Sequence, residues 1–159
     1  QMCIRDRDDA EYLLETAVAL EPKNIQARID YIGALRKRQN YEKALAQSRE
    51  LLKGAPKNQQ FRSIFAIECM QTGDFDTAIE VFDEILNDLP ADPITHTAKG
   101  HALKTKGLFD DAVLSYKMAI KSNRGHGEAY YALANLKTYR FGQTEMNLIF
   151  KVMDLAIGH

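Results

Sequence analysis

The sequence predicts an all-α fold of stacked helix-turn-helix repeats, an α-solenoid, and three recurrences carry that expectation. Alanine returns at Ala10, Ala44, Ala78 and Ala112, each 34 residues after the last. Proline returns at Pro22, Pro56 and Pro90 on the same spacing. An aromatic stands three residues before the later alanines, at Tyr41, Phe75 and Phe109, and Gly73 and Gly107 share the register. A fixed period of this kind marks a repeat architecture, in which each unit buries its apolar face only against its neighbours.

Each residue class has a physical task in such a unit. Small side chains at Ala44, Ala78 and Ala112 let the second helix of a pair press closely on the first. The aromatics Tyr41, Phe75 and Phe109 are expected to fill the wedge at the turn between the two helices. Gly73 and Gly107 suit the residue just past a helix end, where a left-handed backbone costs glycine little. Asp74 then opens the next helix as an N-cap, with Asp76 near its positive end. Each proline stops a second helix, and Asp92-Pro93 reads as N-cap and first helical residue.

Taken in order, residues 8–22 supply a second helix alone, with Ala10, Leu14, Ala17 and Val18 on its apolar stripe. Ahead of it, Met2-Cys3-Ile4-Arg5-Asp6-Arg7 resembles a translated sequencing-adaptor tag, so residues 1–7 are read as non-native. Three full repeats follow at 25–58, 59–92 and 93–126. Ile32 is large where later repeats place Ala66 and Gly100, which predicts looser packing in the first repeat. Arg124 stands where proline is expected, which predicts an altered loop after the third. Residues 127–140 read as a further first helix, and roughly 144–157 as a terminal helix within the closing segment 127–159. The terminal helix is apolar on more than one face, carrying Met146, Leu148, Ile149, Val152, Met153, Leu155 and Ile157. Solenoid ends are usually polar, so both ends read as cut and the chain as a fragment.

These positions resemble the tetratricopeptide repeat (TPR) consensus of small, aromatic and proline slots. The resemblance implies a right-handed superhelix whose first helices line a concave groove for a protein or peptide partner. Its groove-facing slots fall on Ile29, Arg36, Ser63, Ile67, Met70, Thr97, His101, Lys104, Tyr131, Asn135 and Thr138. The carboxylate clamp of chaperone-binding members is absent, because no lysine occupies the required slot. The asparagine ladder of TPR glycosyltransferases is absent as well.

Composition narrows the remaining classes. A net charge of −1 offers no basic field for nucleic acid or an acidic membrane surface. No apolar run approaches the roughly 20 residues a spanning helix needs. Two cysteines, Cys3 and Cys69, without CxxC spacing, argue against a disulfide scaffold or a zinc site, and a reducing, cytoplasmic setting is the expectation. His96 and His101 lie five residues apart on different helix faces, so a shared metal is not expected. No phosphate loop, HExxH or GxSxG occurs, and no catalytic residue or resident cofactor is assigned to this chain.

One stretch is more specific. Gly125-His126-Gly127-Glu128-Ala129-Tyr130-Tyr131-Ala132-Leu133-Ala134-Asn135-Leu136-Lys137-Thr138-Tyr139-Arg140-Phe141 resembles the last TPR unit of bacterial TPR–sulfotransferase fusions, with Thr144-Glu145-Met146 where the following helix opens. The resemblance implies a parent enzyme that transfers sulfuryl from 3′-phosphoadenylyl sulfate (PAPS). The donor-binding loop of that family is nowhere in these residues, so no catalytic position carries over. The expectation is a non-catalytic scaffold, the N-terminal part of such a sulfotransferase, with self-association through the terminal helix. The alternatives are a stand-alone adaptor binding a peptide in its groove and a different TPR-fused enzyme.

Overall fold

A computed structural model describes residues 2–136 and 139–157, with side chains from residue 9 onward except 152 and 155–157. Among the described residues every regular element is a helix. The order is α1 (Met2–Leu20), α2 (Ile25–Lys37), α3 (Tyr41–Gly54), α4 (Gln59–Gln71), α5 (Phe75–Asp88), α6 (Pro93–Thr105), α7 (Phe109–Ser122), α8 (Gly127–Ala134) and α9 (Gln143–Ile157). Two compact units divide the chain, Gln1–Thr77 and Ala78–His159.

In the first unit α1, α2, α3 and α4 pack in sequence around Val18, Tyr31, Ile32, Leu35, Ala44, Leu51 and Phe61. Burying a side chain such as Leu35 completely contributes roughly 2 kcal/mol. The ion pairs Arg38–Glu11 at 2.8 Å and Lys43–Glu15 at 3.6 Å also join α1 to its neighbours. Surface pairs of this kind give about 0–1 kcal/mol each even with Glu11 half-buried, so Leu14 and Val18 hold α1 in place more than its charges do. Ile32 is 1% exposed in spite of its size. The fully buried Ser48 of α3 stands where the third repeat has Tyr116, so a large residue on one helix accompanies a small one on the other.

The second unit reverses that pairing. Leu103, Ala112, Tyr116, Ala119, Ala129 and Leu133 form its core. Tyr116 lies so close to Gly100 that a Cβ there would stand 2.4 Å from the ring carbon Cε1. Only glycine fits.

The turns repeat as closely as the helices. Gln39, Gly73 and Gly107, 34 residues apart, take φ of 61°, 86° and 83°. In each case the next residue donates its N–H five positions back, Asn40 to Leu35, Asp74 to Cys69 and Leu108 to Leu103, all at 2.9 Å. This is the Schellman closure of a helix C-terminus, and Gln39 adopts it without being glycine. The turn into each repeat is equally constant: Asn24, Asn58, Asp92 and His126 donate to the carbonyls of Glu21, Ala55, Leu89 and Asn123. That bond survives where Arg124 replaces proline, so the loop expected to be altered keeps its backbone turn. What changes is the cap. Asn24, Asn58 and Asp92 accept the N–H of Ala27, Phe61 and Thr95, whereas the His126 side chain caps nothing.

Two further expectations need correction. Phe109 is 45% exposed and does not fill a wedge. The helix expected over 127–140 is α8, which stops at Ala134. Leu136 donates to Leu133 and Tyr139 to Leu136, both at 3.0 Å, past the end of the helix. The Tyr139 hydroxyl then donates to Glu145 at 2.5 Å, and the same carboxylate accepts the N–H of Gly142 at 2.9 Å. These bonds draw the segment across to open α9. The backbone of α1 is helical from Met2, through the residues read as a tag.

Candidate binding faces

The first helices of the repeats carry the expected ligand-facing positions, and each unit presents its own set. In the first unit these are Ile29 and Arg36 on α2 and Ser63, Ile67 and Met70 on α4. All five are half-buried. Ile29 packs partly against the core cluster.

Arg36 is held from below. Its Nε donates to Glu68 Oε1 at 2.8 Å and its Nη2 donates to the same oxygen. The Glu68 side chain is fully buried while that of Arg36 is 37% exposed. Glu68 Oε2 has no hydrogen-bond partner among the described residues. An isolated carboxylate is costly to bury, so the guanidinium is what makes Glu68 tolerable there. In return the guanidinium is fixed in orientation with one edge toward solvent. Beside it, burial and the nearby Asp74 carboxylate push the Cys69 thiol up to about 11, an inert core sulfur at neutral pH.

In the second unit α6 and α8 supply His101, Lys104, Tyr131 and Asn135. His101 bridges two elements: Nδ1 lies 2.9 Å from the Tyr116 hydroxyl and Nε2 3.3 Å from Glu128 Oε1. The carboxylate can only accept, so in the neutral ring Nε2 carries the proton and Tyr116 donates to Nδ1. The two rings also meet edge-on, 5.5 Å between centroids. Burial, with Glu128 adding to it, raises the Tyr116 hydroxyl to about 12, so it stays a donor throughout the neutral range. Lys104 is half-buried and Asn135 exposed at the end of α8. Tyr131 is 73% exposed.

Thr97 does not face a ligand. It is 2% exposed, donates its hydroxyl to the Pro93 carbonyl at 2.8 Å and accepts the Nε2–H of His126 at 2.9 Å. The histidine that fails to cap α8 is therefore spent on Thr97. Thr138 lies outside the described residues.

A second constellation escaped the sequence reading. Arg28, Arg62 and His96 share one position of successive repeats, and each donates to the carbonyl of the proline before it: Pro22 at 3.0 Å, Pro56 at 2.9 Å and Pro90 at 2.8 Å. In the fourth repeat that position is Tyr130, whose hydroxyl is buried and has no partner among the described residues. The signal was present as donor side chains 34 residues apart, but their chemical types differ too much to read as a repeat.

Comparison with known proteins agrees with this geometry. A tetratricopeptide-repeat family profile matches residues 5–66. No curated protein sequence matches the chain. Among solved structures, MamA 41-end from Desulfovibrio magneticus RS-1 is similar at 16% identity, covering 100% of this chain and 92% of that one, with a TM-score of 0.72. MamA AMB-1 is 18% identical over 98% of this chain and 93% of that one, with a TM-score of 0.68. MamA MSR-1 is 24% identical over 75% of this chain and 68% of that one, with a TM-score of 0.65. At these identities the likeness concerns the fold. With the 34-residue register and its recurring turns, it makes this chain an all-α protein of the tetratricopeptide-repeat fold.

Proposed function

We propose that the chain is a protein-interaction scaffold whose first-helix faces receive an extended or helical partner peptide. The supporting observation is Tyr131, a large aromatic left 73% exposed on α8 beside a His101–Glu128 pair already fixed by Tyr116. Tyrosine on a preorganised polar frame is a frequent anchor at interfaces, because it covers much area with few rotors to freeze. A photo-crosslinking residue at position 131, compared with one at the likewise exposed Leu114 of α7, tests this in lysate of the source cells. Discrete adducts at 131 that Asn135→Ala and His101→Ala reduce are expected. Equal, diffuse labelling at both positions would count against a first-helix partner site.

A second reading makes the chain the N-terminal part of a PAPS-dependent sulfotransferase, with the scaffold orienting a protein substrate. Its support is the 125–141 block alone. Reading the gene beyond His159 tests it: a strand-loop-helix with a PRSGTT-type phosphate loop is expected, and any other continuation removes the reading. Self-association through α9 belongs to the same proposal, since Phe150 and Met153 are 55% and 51% exposed.

A further inference from the structure

A cavity of about 310 Å³ lies where α7, α8 and the start of α9 meet, lined by apolar Leu133, Phe141 and Leu148 and by Lys121, Arg124 and Tyr130. It belongs to the second unit and is lined by other residues of α8 than the expected ligand-facing Tyr131 and Asn135. Three observations single it out. First, Lys121 and Arg124 both border it and neither has an anionic partner among the described residues, although the chain as a whole is almost neutral. The acid at its edge, Glu145, is already committed to the Tyr139 hydroxyl, the Gly142 N–H and Lys117 at 3.3 Å. Second, Tyr130 stands where earlier repeats lock the preceding proline carbonyl with Arg28, Arg62 or His96, yet its buried hydroxyl is unmatched. An unmatched buried donor is a standing penalty, and a small shift of the Tyr130 side chain toward an acceptor oxygen held in the cavity would relieve it. Third, Arg124 stands where the earlier repeats place a proline, which adds a cation to the cavity rim at that position.

We propose that this cavity is a binding site for an apolar carboxylate: a hydrocarbon or aryl body against Leu133, Phe141 and Leu148, with its carboxylate toward Lys121, Arg124 and Tyr130. The size suits a small body rather than a long chain, and an apolar pocket with a few convergent polar groups is the usual form of such sites. Arginine presents a planar fork that matches a carboxylate in two parallel hydrogen bonds. The same chemistry occurs in a free arylalkanoic acid and at the C-terminus of a peptide ending in an aromatic residue.

The test is a titration of the full chain, methyl-labelled and followed by NMR, with 4-phenylbutyrate and with 4-phenylbutyramide. A second arm uses an acetylated dipeptide ending in phenylalanine, with a free or amidated terminus. Saturable shifts at Leu133, Leu148 and Ile120 are expected from the acids, with affinity roughly tenfold or more above the amides. Lys121→Gln/Arg124→Gln should abolish that preference while leaving the circular dichroism unchanged, as both residues are exposed. Leu148→Trp, which fills the cavity and keeps the cations, should abolish binding too. Tighter binding of the acid or of the peptide assigns the source, and either supports the site. Equal binding of acid and amide, shifts scattered elsewhere, or unaltered binding in Lys121→Gln/Arg124→Gln would overturn it.

Discussion

Single positions in this chain are decided by very local geometry. Gln39 carries a positive φ where the other two repeats use glycine, so its Cβ is strained against the following carbonyl. Gln39→Gly should therefore stabilise the chain by up to about 1 kcal/mol, the left-handed penalty less the added unfolded-state entropy of glycine. Urea denaturation measures it, and a destabilised variant would show that the turn is relaxed as it stands. Gly100 is the opposite case. Gly100→Ala places a methyl 2.4 Å from Tyr116 Cε1, and Tyr116 is fixed by its hydrogen bond to His101. Overpacking of this kind costs about 1–3 kcal/mol, read as a lower urea midpoint with an unchanged slope. Gly100 was legible as a small-residue slot. That a tyrosine fills the space beside it was not, because the sequence does not say which side chain will turn toward a given gap.

At the scale of elements, the helix pairs were legible because alanine, aromatic, proline and glycine recur at one spacing. The N-caps at Asn24 and Asn58, the turn at Gln39 and the proline locks were missed. Backbone geometry recurs at those positions while the residue type does not: an asparagine and an aspartate cap equally well, and an arginine and a histidine reach the same carbonyl. The expected ligand-facing positions were legible only as positions. Thr97 shows that a slot can be turned inward once its hydroxyl finds two partners. The opening of α9 carries a pH dependence of its own. The Tyr139 hydroxyl, then the Gly142 N–H and Lys117, hold the Glu145 carboxyl below its ordinary range. A lowered carboxyl contributes its stability above the unfolded carboxylate range and loses it as pH falls through the folded value. Amide protection at the start of α9 should thus drop on acidification below the carboxylate range, and Glu145→Gln should be weakly protected at every pH. Hydrogen exchange across an acid series checks this. Protection in the wild type that does not change with pH would mean that packing alone holds the helix.

At the scale of the molecule, each repeat is stabilised chiefly by its neighbours in sequence, so surface left bare on a helix counts for more than in a globular domain. Phe150 and Met153 of α9 are such surface. Sedimentation velocity is expected to show association that rises with concentration and is abolished by Phe150→Ser/Met153→Ser. A wild-type chain that stays monomeric across the range would exclude that contact. No helix among the described residues is long and apolar enough to cross a membrane. One packing detail also bears on how such a gene can change. Repeats of equal length invite unequal crossing-over, which deletes, duplicates or reorders whole units. Here the first repeat combines Ile32 with Ser48, and the third combines Gly100 with Tyr116. A recombinant joining α2 to α7 would set isoleucine against tyrosine, and one joining α6 to α3 would leave glycine facing serine across a void. Crossovers that fall in the tight turn within a helix pair are therefore penalised, while those between pairs carry each matched couple along intact. The period lets the units slide in register, but the complementary side chains decide where the gene can be cut.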